Sequence, residues 1–106
     1  MQFHELSIKS KKQETPDTVT LEMDIPSELE GVYSYKQGQY VTLKHQYQGR
    51  ELRRSYSMSS SPRDNKLAIT VKKVKGGIVS SFLHDQLKVG DKLEVGTPEG
   101  RFYVAL

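Results

Sequence analysis

The chain has 106 residues, with 16 Lys and Arg against 13 Asp and Glu, a formal charge of +3 and 35% hydrophobic residues. At roughly 100–200 residues per domain that is a single domain, too short for a barrel plus a full nucleotide-binding sheet. The absence of Cys excludes a disulfide framework, a thiolate zinc site, a Cys nucleophile and a Cys-ligated iron–sulfur cluster on this chain.

Taken in chain order, the dominant period is two. The first strand is expected near 3–10. The second, near 17–25, alternates Val19, Leu21, Met23 and Ile25 with Thr18, Thr20, Glu22 and Asp24. Residues 26–38 form the longest irregular connection and carry two Tyr. Strands near 39–47 and 51–59 flank Gln48-Gly49, a hairpin signal. Another strand is expected near 67–74, where Leu67, Ile69 and Val71 alternate. Then the period changes. Ile78 and Phe82 are four apart, as are Val79, Leu83 and Leu87 in series, which predicts a short helix over 77–88. Strands near 92–95 and 101–105 complete the chain. Six or seven short strands with close turns and one helix predict an all-β fold, a six-stranded antiparallel Greek-key barrel. No run approaches the roughly 20 apolar residues of a membrane span. The first residues lack a signal-peptide pattern, so the expected compartment is the cytoplasm.

Two constellations carry chemistry. In the first, Arg54 and Tyr56 share one face of a strand about 7 Å apart, with Ser55 and Ser57 beside them. A guanidinium fork matches phosphate oxygens, and a Tyr ring offers a flat apolar surface. A ligand with a flat heterocycle and a phosphate would use both. A solvated edge strand with paired Arg and a packed Tyr fits the same residues. In the second, Lys75-Gly76-Gly77 leads into Ile78-Val79-Ser80-Ser81 at the helix start. Glycines permit close backbone approach, and a helix N-terminus seats a phosphate. A plain Gly-Gly turn with a Ser N-cap would look alike.

Together and in this order, the segments resemble the flavin-binding barrel domain of the ferredoxin–NADP reductase-like oxidoreductases. The carrying residues are Gly38 to Leu43, Arg54-Ser55-Tyr56-Ser57, Ile69 to Lys72, Gly77 to Ser80, and Gly96 to Phe102. Phe3-His4-Glu5-Leu6 and the doubled Arg53-Arg54 are most similar to the reductase components of phenylacetyl-CoA epoxidase and related ring-oxygenases. The resemblance implies FAD as cofactor. It implies Arg54 on the pyrophosphate, Tyr56 against the isoalloxazine, and the Ser57 hydroxyl near flavin N5, which requires the strand to end or twist at Ser57. It further implies Thr70, Val71 and Lys72 along the flavin and ribityl chain, largely through backbone. Gly77, Ile78, Val79 and Ser80 would hold the pyrophosphate. Tyr56 and Ser57 are thus the expected catalytic pair, and no metal site is expected.

The resemblance also implies a nicotinamide-binding domain after the barrel, using NADH or NADPH, and a ferredoxin-like or oxygenase electron acceptor. Residues 1–106 would then be the flavin barrel alone, and the abrupt end at Leu106 is expected to be a cut at a domain boundary. Nucleic-acid and membrane partners are not expected. The competing classes are a small basic barrel binding single-stranded nucleic acid and a cofactor-free interaction module. His4, His45 and His84 lack metal-ligand spacing, and Asp85 and Asp91 lack an acid–base arrangement. Lys9, Lys11 and Lys12 read as a solvated strand end.

Overall fold

In the computed structural model, which describes residues 1–100, six strands form one antiparallel sheet. They are β1 (Phe3–Thr15), β2 (Thr18–Asp24), β3 (Tyr40–Tyr47), β4 (Arg50–Ser57), β5 (Leu67–Lys72) and β6 (Lys92–Gly96); the helix α1 is Ile78–Asp85. The spatial order is β4-β3-β6-β1-β2-β5. Strand β6 thus inserts between β3 and β1, and β5 returns to pair with β2, a Greek-key path. The expected all-β, six-stranded architecture with one helix is present. The strand expected at 101–105 lies outside the described residues.

The inward residues are those picked out by alternation. Leu6, Ile8, Val19, Leu21, Val41, Leu43, Ile69, Val71 and Val95 are essentially sealed from solvent. The β3–β4 hairpin turns through Gln48 (φ 49°) and Gly49 (φ 76°). Both are left-handed, as a type I′ turn demands of its two central residues.

Closure of the barrel is partial. The edge strands β4 and β5 meet only where β4 has ended. There Met58 bridges Ile69, and the Ser59 N–H donates to the Ala68 carbonyl at 2.8 Å. No continuous ladder joins them among the described residues.

Two element boundaries show why the structure departs from the sequence expectation. β1 runs five residues further, to Thr15, because β2 supplies a ladder for the polar segment 11–15 through two register shifts. The helix stops at Asp85, not 88, although Leu87 still packs into the core. Its last turn is closed from outside. The Lys11 ammonium donates to the carbonyls of His84 and Leu87, each at 2.7 Å. Lys11 is therefore no solvated strand end. It is a cation at the negative end of the helix, satisfying carbonyls that have no intrahelical donor. Lys9 and Lys12 do lie exposed, paired with Glu22 and Glu14.

The connection 26–38 is also less irregular than its composition. A single 3-10 turn spans Ser27–Leu29, and Tyr33 behind it is 2% exposed. The Tyr33 hydroxyl donates to the Val95 carbonyl. Burial pushes its phenol up to about 12, so it stays a neutral donor.

Replacing Lys11 by Met keeps the apolar stem and removes the charge. The expected loss is about 1 kcal/mol of unfolding free energy, read from the urea midpoint. A midpoint equal to the wild type would mean that the two carbonyls do not depend on this ammonium.

Candidate functional site

The site is built by two sheet edges that touch once and then part. Moving back along β4 from Met58 gives Ser57, Tyr56, Ser55 and Arg54. Moving forward along β5 from Ile69 gives Thr70, Val71 and Lys72. These runs are antiparallel and would pair if the ladder continued. It does not, so the outer peptide edge of each strand is left without a strand partner among the described residues. Beyond Lys72 the Lys73 N–H donates to the Asp17 carbonyl at 2.7 Å, and the chain then turns through Val74 to Gly77 into α1. R-x-Y-S thus lies on the outer edge of β4, and the T-V-K segment leads along the outer edge of β5 to the turn before the helix.

Side-chain directions sort the residues. Val41 lies opposite Tyr56, and Leu43 opposite Arg54. Opposed residues share a face, so Arg54 and Tyr56 are on the core side of β4, at its open edge. Tyr56 is half-buried, and Arg54 is exposed. Burial raises the Tyr56 phenol above its ordinary value, offset in part by the Arg54 guanidinium. The ring is thus a neutral, apolar surface with a cation beside it. The Arg54 Nη1 also donates to its neighbour's carbonyl, Arg53 O, at 2.7 Å.

Ser57 is the last residue of β4 and is exposed, on the face opposite Tyr56. The strand does end there, and Met58 is the crossover to β5. The Ser55 hydroxyl points away from the opening and meets the Thr42 hydroxyl at 3.2 Å. Thr70 likewise faces outward, its hydroxyl 2.9 Å from that of Thr20. Lys72 is exposed, and the Val71 side chain is in the core. At 55 and 70–71 the chain therefore offers the opening its backbone.

At the helix start the N-cap is Gly77, with no side-chain cap. The first helical bond runs from the Ser81 N–H to the Gly77 carbonyl at 3.1 Å. The N–H groups of Ile78, Val79 and Ser80 precede it and carry the positive end of the helix. Val79 is buried in the core, and Ile78 is exposed. Ser80 is only 8% exposed, and its hydroxyl accepts from the Val74 N–H at 3.1 Å. That bond folds the 74–77 turn against the helix. A Cβ on Gly77 would lie 2.6 Å from the Ser80 Oγ and 3.1 Å from the Val74 carbonyl. Gly77 is thus required by close approach.

Three features of this region carry no local sequence signal. His45 stacks on Phe82, centroids 4.1 Å apart, which joins β3 to α1; burial pulls its imidazole below the ordinary value. Asp85 accepts from Lys73 at 2.7 Å, and this bond, helped by His84, holds its carboxyl below the usual range. His84 in turn meets Gln13. The cations Lys9, Lys12, Lys44, Arg53 and Lys73 have carboxylate partners.

The family model for the oxidoreductase FAD-binding domain matches residues 5–103. The chain belongs to this family. One component of the 1,2-phenylacetyl-CoA epoxidase of Escherichia coli is 36% identical over 100 residues, 94% of this chain and 28% of that protein. A flavohemoprotein from Pseudomonas putida is 38% identical over 101 residues, 95% of this chain and 26% of that protein. The solved flavohem-like FAD/NAD-binding domain of nitric oxide dioxygenase from Vibrio cholerae superposes with a TM-score of 0.79 at 26% identity. The match covers 96% of this chain and 46% of that one. The chain thus spans about a quarter of the length of the two curated relatives. Among the described residues no helix is long and apolar enough to cross a membrane.

Gly77→Ala should displace the 74–77 turn. We expect faster hydrogen exchange at the Val74 amide and FAD affinity weaker by about tenfold or more, equivalent to roughly 1.4 kcal/mol. Wild-type exchange and affinity would show that the turn absorbs a Cβ without moving.

Proposed function

We propose that this domain is the flavin-holding half of an NAD(P)H-dependent oxidoreductase. In it, electrons pass from a nicotinamide through FAD to an iron–sulfur or oxygenase partner. What supports the reading is the match of residues 5–103 to the oxidoreductase FAD-binding domain, together with Arg54 and Tyr56 on one face of β4 and an uncapped start of α1. The epoxidase component among the relatives supports an oxygenase-type acceptor. The combined FAD/NAD-binding unit among the solved structures supports a nicotinamide-binding domain beyond residue 106. A ferredoxin-like acceptor is chemically equivalent. The cytoplasm, where nicotinamide cofactors are available, is the compartment that fits.

FAD, when bound, supplies hydride acceptance and stepwise electron release; the protein contributes position and electrostatics. In this reading Arg54 neutralises the diphosphate with a planar fork, and the N–H groups of Ile78, Val79 and Ser80 complete its seat. Gly77 lets the backbone come close, and Ser80 holds the turn in shape. Tyr56 presents its neutral ring to one flavin face and excludes water there. Ser57, the last residue of β4 and still paired with Tyr40, would offer its hydroxyl to the edge of the ring system near N5. Ser55, Thr70, Val71 and Lys72 bind through the main chain, with the Lys72 ammonium free to approach the phosphate side.

Arg54→Ala in the natural full-length protein should weaken FAD by about ten- to a hundredfold, the scale of a lost charge-assisted bond of roughly 1.5–3 kcal/mol. Ser57→Ala should leave FAD affinity near wild type and slow flavin reduction by NAD(P)H in stopped flow. Unchanged FAD binding by Arg54→Ala would remove the guanidinium from the site. If Ser57→Ala reduces at the wild-type rate, its hydroxyl has no part in hydride transfer.

A further inference from the structure

The core-side row of β3 runs Val41, Leu43, His45 and Tyr47. Its first two members are sealed in the core, and an aliphatic third would continue the same packing. The chain instead places an imidazole there. It stacks on Phe82 of α1, with centroids 4.1 Å apart and planes 22° from parallel. We propose that His45 is a proton-sensitive positioning residue: its neutral ring, through Phe82, holds the start of α1 in place, and its protonation frees the helix and weakens the diphosphate seat. The proposal rests on the cofactor reading above and adds proton control to it.

Three observations carry it. First, the stack acts on the right part of the helix. α1 has eight residues, and Phe82 lies about one turn after Ile78, whose N–H is the first of those at the helix start. His45, Ile78 and Phe82 line one cleft, so β3 and α1 face each other there. Lys11 and the Lys73–Asp85 pair hold the other end of the helix.

Second, the surroundings offer a charged ring little. The contacts of His45 are ring contacts, with Phe82 and with Tyr47 at 6.5 Å between centroids. The apolar Leu52 stands opposite it on β4. Among the described residues no carboxylate lines the cleft. The charged groups that flank it are cations. Arg50 and Arg54 lie two residues either side of Leu52 on the same face of β4, and Lys75 precedes Gly76 of the cleft wall. On α1, the titratable His84 and Asp85 are engaged with Gln13 and Lys73.

Third, partial burial pulls the imidazole below its ordinary value of 6.5. A position that disfavours the charged ring is, by linkage, one that the charged ring leaves more readily. The hold is therefore complete above the ordinary value and is lost as pH falls through the lowered one.

The test titrates FAD into the natural full-length protein by flavin fluorescence, at about pH 7.5 and about pH 5.5, one unit either side of the ordinary imidazole value. Wild type should bind FAD severalfold more weakly at the lower pH. His45→Phe keeps a stacking ring without a proton site, so it should match wild type at the higher pH and show no such fall. His45→Ala should bind more weakly by about two- to tenfold, the scale of one aromatic pair, equally at both. Without flavin, the NMR amide shifts of Ile78, Val79 and Ser80 should titrate together with the His45 ring in wild type and stay fixed in His45→Phe. A parallel fall in wild type and His45→Phe, or helix-start amides that do not follow His45, would overturn the proposal while leaving the flavin seat standing. A wild type that binds no FAD at either pH would overturn the cofactor reading, and the amide titration would then decide alone whether His45 moves the helix.

Discussion

The structure turns on the place where two edge strands stop pairing. A barrel of six short strands gains most by closing, because closure removes unpaired edges. Here closure is made at Met58–Ile69 and Ser59–Ala68 and then abandoned. The unpaired peptide groups beyond that point would be a liability in a protein with nothing to bind. On the proposed reading they form the two banks of a flavin site, with Arg54, Tyr56 and Ser57 on one and residues 70–72 on the other.

On the same reading the start of α1 completes the seat, and the helix has to be held still. Its N-terminus must stay uncapped, so stability has to come from elsewhere. The buried Val79 and Leu83 supply part of it. Lys11 supplies a cation to the last carbonyls, Asp85 is tied to Lys73, and Phe82 is stacked on His45. Three different strands or their extensions thus grip the helix away from the ligand end. Function and stability are separated along eight residues of α1.

What can be read from the sequence follows the same division. Buried strands announce themselves because one face is sealed and the other wet, as in Val19, Leu21 and Met23. The hairpin at Gln48-Gly49 is legible because its turn needs two left-handed residues. R-x-Y-S and the Gly-Gly helix start are legible as chemistry, and their order along the chain makes them specific. Long-range contacts are not. Lys11 looks like any surface lysine until the helix end is placed above it. Tyr33 sits in a segment without period, and only the fold brings its hydroxyl to Val95. The extension of β1 to Thr15 has no alternation, because a ladder partner rather than a core holds it. Partial closure is equally invisible, since neither β4 nor β5 encodes where its partner leaves.

Backbone hydrogen exchange on the full-length protein, with and without saturating FAD, tests the central claim most directly. Both strand edges and the helix start should become protected together. Slowing at residues 54–57, 70–72 and 78–80, with little change at the β1–β2 hairpin, is the predicted pattern. Protection confined to other segments, with the two edges exchanging as before, would contradict the account.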